Sequence, residues 1–148
     1  MRKRTKAREY ALQMLYQVDI RRTQDPQVAE EFWQLHEVED EVKVFATTLV
    51  RGTMTHLTEV DALITAHAEH WDLKRMAVID RNILRLGVYE LMHEDEVPPK
   101  VSISEAVELA KRFGDTESSK FINGILDAIL KTSSRYVPSA TPPEPLSP

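Results

Sequence analysis

The sequence predicts an all-α fold, on three observations. Between about residue 5 and residue 133 the apolar residues recur at steps of three and four, the period of helices that bury one face. No stretch sustains the apolar–polar alternation, closed by hairpin turns, that strands require. Chain-breaking residues are few and sit at joints: there are four glycines, and five of the eight prolines fall in the last eleven residues. A chain of 148 residues suits one compact domain or two small helical lobes sharing an interface.

Ala7, Ala11, Leu15 and Val18 form the stripe of a first helix. Asp25-Pro26 interrupts it, and proline suits the first turn of the short helix that follows, marked by Val28, Phe32 and Leu35. From Glu39 to His70 the stripe Val42, Phe45, Leu49, Leu57, Val60 and Ile64 predicts one long helix or two in near-continuation, with the expected bend at Gly52 and its neighbouring threonines. Ala77 to His93 is the next helix, with Ile79, Ile83, Leu86 and Val88 or Leu91 turned inward. Val97-Pro98-Pro99 ends it, since proline lacks the amide donor that a helix interior needs. Ser102-Ile103-Ser104-Glu105 has the form of a capping box, which predicts a helix start near Ile103. That helix runs through Ala106, Leu109 and Phe113 to an expected left-handed stop at Gly114. Asp115 or Thr116 then caps a last helix with the stripe Phe121 or Ile122, Ile125 and Ile129. Asn123-Gly124 within it is expected to serve close helix packing, because an interior glycine otherwise costs about 1 kcal/mol against alanine. The tail, residues 134–148, is rich in Pro, Ser, Ala and Thr and is expected to be disordered.

Composition narrows the function. No apolar run approaches the ~20 residues that cross a bilayer. The basic start is not followed by the roughly 7–15-residue apolar segment of a secretory signal. Cysteine is absent, which removes disulfides, thiolate catalysis and cysteine-ligated zinc together. A soluble cytoplasmic protein is therefore expected. The net charge of −5 conceals a separation: residues 1–8 carry Arg2, Lys3, Arg4, Lys6 and Arg8 with no acid. The other 140 residues then hold 14 of the 19 basic residues against all 24 acidic ones, a balance of −10. Positive charge gathered at one end of an acidic body suits local binding of a polyanion.

Three blocks of the sequence resemble the NusB transcription-antitermination family. Lys6-Ala-Arg-Glu-Tyr-Ala-Leu-Gln-Met-Leu-Tyr16 is similar to its amino-terminal signature, a basic arm entering an Ala/Leu helix. Asp80-Arg-Asn-Ile-Leu-Arg-Leu-Gly-Val-Tyr-Glu-Leu91 resembles its central helix. Val97-Pro-Pro-Lys-Val-Ser-Ile-Ser-Glu-Ala-Val-Glu-Leu-Ala-Lys-Arg-Phe-Gly114, followed by Lys120-Phe-Ile-Asn-Gly-Ile-Leu-Asp127, resembles its most distinctive part. The likeness is in order over roughly residues 4–131. It implies two three-helix bundles packed together in a domain of residues 1–133, with an amino-terminal lobe of about 1–70 and a carboxy-terminal lobe of about 71–133. It also implies a non-catalytic factor without a cofactor, which pairs with the ribosomal protein NusE on the boxA element of nascent RNA. That pairing acts indirectly on the RNA polymerase elongation complex, notably in ribosomal RNA operons.

The arm residues Arg2, Lys3, Arg4, Lys6 and Arg8 are the expected phosphate contacts. Five such charges on a single strand predict a salt slope of roughly −3.5, or about a hundredfold loss between about 50 and 200 mM salt. The plainer reading is a solvated chain start. Thr5 stands where the family's arm often has arginine, so this arm is thinner. Gln13, farther along the same helix, either reaches a base edge or is a surface amide without a duty. Tyr16 either serves the NusE contact or is partly buried between helices. At the opening of the last helix, free amides, the positive dipole end and Lys120 suit an anion. Phe121, one position off the Ile122–Ile125–Ile129 stripe, is placed to stack on an unpaired base or to pack in the core. Glu117 in the same turn either tunes phosphate affinity or simply favours the helix start. Asp80, Arg81 and Arg85 on the central helix are assigned to the NusE interface or to salt bridges within the fold.

An enzyme is not expected. His67 and His70 share a helix with Glu69 and Asp61 nearby, but the H-E-x-x-H spacing is missing and no third ligand is marked. There is no phosphate-cradling glycine loop and no G-x-S-x-G elbow. Two other classes stay open: a helical adaptor whose arm docks an acidic protein, and a stand-alone targeting module for an rRNA methyltransferase, a domain this chain does not include. A helix-turn-helix is disfavoured, because the charge lies at the terminus and not on a second recognition helix. The sequence does not decide between monomer and dimer; a homodimer that hides the basic RNA face when RNA is absent stays open.

Overall fold

In the computed structural model, which describes residues 2–23 and 27–135, the apolar stripes become seven α-helices joined by short turns. They are α1 (Lys3–Arg21), α2 (Gln27–Gln34), α3 (Asp40–Thr55), α4 (Leu57–His67), α5 (Val78–His93), α6 (Pro99–Phe113) and α7 (Ser118–Lys131). A 3-10 turn (Leu73–Arg75) leads into α5, and no strand occurs among the described residues. Among the described residues no helix is long and apolar enough to cross a membrane.

The central element is α5. Ile83, Leu84, Leu86, Val88 and Leu91 are all buried, so apolar residues run around much of its circumference, as in a helix enclosed by others. It packs against α1 and α3 on one side and against α4, α6 and α7 on the other. One continuous core joins Leu12, Leu15, Leu49, Ile64, Ile83, Leu86, Ile122 and Ile129 across these groups. Because α4 packs on α5 and α7 more than on α3, a division of the chain near residue 70 does not follow the packing.

Several joints differ from what the sequence predicts. The break in the 39–70 segment falls at His56 (φ −103, ψ 18), and Gly52 stays inside α3. Gly52 is there for room, since the Tyr89 ring occupies the space of an added Cβ. Helix α6 begins a turn early, with Pro99 in its first turn and the Val101 and Ser102 amides already bonded to the Pro98 carbonyl. Ser102 therefore caps nothing; it is buried and donates to Glu90 Oε1 at 3.2 Å. Gly114 is extended (φ −93, ψ −172), not left-handed. It leaves room for Ser118, whose Oγ would lie 2.5 Å from a Cβ at that position. The box that does form is Asp115–Ser118: Asp115 Oδ1 accepts from the Ser118 amide at 3.1 Å, and Ser118 Oγ accepts from the Asp115 amide at 3.0 Å.

The expected buried stripes hold for Val28, Phe32, Val42, Leu49, Val60 and Ile64, whereas Leu35 lies beyond α2 and is 82% exposed. Gly124 does not pack: it is exposed on α7, and a Cβ there would meet nothing within 4 Å. After α7, Arg135 turns back and donates to the Leu91 carbonyl in the last turn of α5 and to the Val97 carbonyl in the loop beyond it, each at 2.7 Å. The Asp25-Pro26 break and most of the 134–148 tail lie outside the described residues.

Candidate nucleic-acid interface

Helix α1 carries the basic arm, and its first turn contains no acidic residue. Cations at the positive end of a helix dipole cost a few tenths of a kcal/mol each and add to the field of the unpaired amides. Arg2, Lys3, Arg4 and Lys6 are exposed, so the first turns of α1 present four cations outward. The Arg4 guanidinium lies 4.6 Å from the centre of the Phe45 ring on α3. Lys3 Nζ sits 3.2 Å from Glu39 and 3.0 Å from Glu41 at the start of α3. The hydrogen bonds it donates to Glu41 and then Glu39 hold its ammonium above the ordinary lysine value.

Arg8, expected among the phosphate contacts, is not on this surface. It is 2% exposed and grips Glu90 of α5 in a bidentate pair, Nε to Oε2 at 2.9 Å and Nη2 to Oε1 at 2.8 Å. Burial alone would lower its pKa; the Glu90 carboxylate outweighs that and holds the guanidinium above its ordinary value. The reason is geometric: position 8 follows Ala7 and precedes Ala11 on the face that docks onto α5, where an unpaired cation is not tolerated. Around it Thr5 Oγ1 donates to Glu105 at 2.7 Å, and Arg112 Nη1 donates to Glu9 at 2.7 Å. These contacts, residue 5 to 105 and residue 9 to 112, form a polar seam between the start of α1 and α6, two helices whose backbones otherwise pack little against each other. From Glu105 the seam leads about 12 Å along α6 to Phe113. Phe113, the last residue of α6, is 37% exposed, with the Arg112 guanidinium over its ring at 5.4 Å.

Beyond the α6–α7 turn lies a hollow of about 470 Å³ that gathers Trp71, Asp80, Glu117, Lys120 and Phe121. Phe121 is half-buried and meets Trp71 edge to face at 5.8 Å, so one ring edge is fixed while the side chain keeps some exposure. Lys120 is exposed. Asp80 is 9% exposed, with Oδ1 buried and without a hydrogen-bond partner. Burial pushes its carboxyl above the ordinary value, Ser118 opposes the shift, and Asp115 adds to it. A buried acid without a cation, at the edge of a hollow, is the kind of group that functional sites retain.

Asp80 is thus separated from its sequence neighbours Arg81 and Arg85. Those arginines are bound within the fold: Arg85 clasps Asp61 with Nε to Oδ1 at 2.8 Å and Nη2 to Oδ2 at 3.0 Å. Arg81 Nε and Asn82 Nδ2 reach Asp19 Oδ2 at 2.8 and 2.9 Å, and Arg85 Nη1 reaches it at 3.2 Å. Burial would raise the Asp19 pKa, but these donors more than offset it and hold the carboxylate below its ordinary value. Of the two readings left open for Arg81 and Arg85, this is the internal one. It ties the end of α1 to α4 and α5. Tyr16, 36% exposed, and Ile20, 52% exposed, form an apolar strip on the same half of α1. Gln13 is half-buried between that strip and the arm. His67 turns its Nδ1 to the Leu63 carbonyl at 2.9 Å.

The fold and the sequence blocks recur in known proteins. The model of the NusB family matches residues 5–131. The chain is 46% identical to the transcription antitermination protein NusB of Symbiobacterium thermophilum over 137 residues, covering 86% of this chain and 89% of that protein. It is 47% identical to the NusB of Myxococcus xanthus over 131 residues, covering 85% and 93%. Among solved structures, T. maritima NusB superposes with a TM-score of 0.79 at 38% identity, covering 87% and 91%. A complex of antitermination factors NusB and NusE with double-stranded RNA superposes with a TM-score of 0.81 at 31% identity, covering 90% and 99%.

Proposed function

This chain belongs to the NusB family, and on that footing we propose that it is a cytoplasmic, non-catalytic transcription antitermination factor that binds boxA-type single-stranded RNA together with NusE. The observation that carries the reading is the leading edge of α1, where Arg2, Lys3, Arg4 and Lys6 are exposed at a positive helix end on an otherwise acidic chain. The RNA backbone lies against these cations. It follows the α1–α6 seam past Phe113 to Lys120 and Phe121, where unpaired bases stack. Arg8 positions the arm through Glu90 and touches no phosphate. NusE takes the Tyr16–Ile20 strip and the Asp80 edge, with the polymerase elongation complex engaged through that pair.

Four phosphate contacts on a single strand give a salt slope of about −0.7 × 4, or roughly −2.8, hence about a fiftyfold loss between about 50 and 200 mM salt. Fluorescent boxA-like RNA titrated with the full chain, alone and with NusE, is the test. Binding should tighten sharply with NusE and weaken when Arg2, Lys3, Arg4 and Lys6 become alanine. A chain that NusE neither binds nor helps, and whose RNA affinity ignores the arm, would overturn the proposal; a preference for duplex over single-stranded RNA would overturn its substrate.

A further inference from the structure

His56, Glu59 and His93 meet where the α3–α4 joint faces the last turn of α5. Their nearest nitrogen and oxygen atoms all lie within 4.8 Å of one another. Glu59 is central, with Oε1 at 3.3 Å from His93 Nε2 and Oε2 at 3.7 Å from His56 Nδ1. The two imidazole rings lie face to face, 3.9 Å apart and 19° from parallel. His93 Nε2 is shut off from solvent and has no hydrogen-bond partner, its approach to Glu59 lacking hydrogen-bond geometry. The unmet His93 nitrogen, the Glu59 carboxylate and the second imidazole bring three groups of metal-ligating type together beside the Tyr89 ring, which stacks on both imidazoles.

We propose that His56, Glu59 and His93 bind a divalent transition-metal ion of the zinc class. Two imidazoles and one carboxylate are borderline donors that suit Zn²⁺ or Co²⁺, and three protein ligands leave a fourth position for water. Metal–ligand bonds of about 2.0–2.1 Å in a tetrahedron set the ligands about 3.4 Å apart, so the present spread, within 4.8 Å, closes by up to about 1.4 Å. Side-chain rotation would have to supply it and also turn the stacked imidazole planes toward a common centre. The Glu59 side chain is 48% exposed, and its swing opens the path to the shielded nitrogen. The ion would clamp the broken helix joint at His56 to the end of α5, one turn beyond Glu90 and the Arg8 pair that holds the basic arm. The sequence carries half of the signal, an H-x-x-E spacing at His56–Glu59; the third ligand, His93, comes from a distant helix.

The test is a titration of the metal-free full chain with CoCl₂ and ZnCl₂, following cobalt d–d absorption and thermal unfolding. About one cobalt should bind per chain with the spectrum of a four- or five-coordinate nitrogen–oxygen site, and zinc should displace it. Zinc at about a hundredfold over its Kd should raise Tm by roughly 5–10 °C. Glu59→Gln, at a half-exposed position that the fold tolerates, and His93→Gln should each lose the spectrum and the shift. A His67→Gln/His70→Gln control should keep both. Absence of a saturable spectrum, or a zinc shift that survives Glu59→Gln with His93→Gln, overturns the proposal and leaves an ordinary histidine–carboxylate contact.

Discussion

Replacing Arg8 by methionine removes three hydrogen bonds at 3.1, 2.9 and 2.8 Å and leaves Glu90, whose side chain is 2% exposed, with Ser102 as its remaining hydrogen-bond donor. Stranding one member of a buried pair costs about 3–5 kcal/mol, since the survivor keeps its desolvation penalty without its partner. At about 2–4 °C per kcal/mol for a chain of this size, Tm should fall by roughly 6–20 °C. Removing both charges in Arg8→Met/Glu90→Leu should bring stability back to within about 1–2 kcal/mol of the parent, because an apolar pair of similar volume is often no worse. The Ser102 hydroxyl can then turn to a carbonyl of its own helix. Urea and thermal unfolding followed by circular dichroism measure both effects. The same double variant, titrated with boxA-like RNA, should keep the salt slope of the parent; a phosphate-contacting Arg8 would make it shallower by about 0.7. A single-variant loss under about 1 kcal/mol, or a shallower slope in the double variant, refutes the assignment of Arg8 to the frame.

Asp80→Asn should be more stable than the parent at neutral pH. A carboxyl whose pKa is raised in the fold contributes stability while protonated, and loses it as pH rises through the folded value. The two proteins should therefore converge in acid, below the ordinary carboxylate value, and urea unfolding across that range checks it. Gly124→Ala, in open space within α7, should stabilise by about 0.4–1 kcal/mol, whereas Gly52→Ala, which meets the Tyr89 ring, should cost about 1–3 kcal/mol. Chemical denaturation separates the two signs. Glu39→Gln with Glu41→Gln frees Lys3 from its two carboxylates, so RNA affinity should rise at low salt and the gain should shrink as salt increases. An unchanged affinity would mean that Lys3 makes no phosphate contact.

What the sequence determined by itself was whatever a short window contains. The buried stripes of α1, α3, α5 and α7, the prolines ahead of α6 and the pooling of cations at the start follow from spacing and charge that need no distant partner. The three matching blocks carried the family for the same reason, being contiguous. Tertiary structure decided what depends on a neighbour from elsewhere in the chain. Arg8 looks like Arg4 in the sequence, yet a face that turns it onto α5 makes it half of a buried pair with a residue 82 positions away. Ser102 and Glu105 spell a capping box, but they face Glu90, Thr5 and Arg8, and the helix starts at the proline instead. Gly52 and Gly124 are equivalent as helix glycines; one is required by the Tyr89 ring and the other by nothing in the fold. Asp80 and Arg81 are adjacent in sequence but point to different sides of α5, because a helix turns about 100° per residue, and so they belong to different sites.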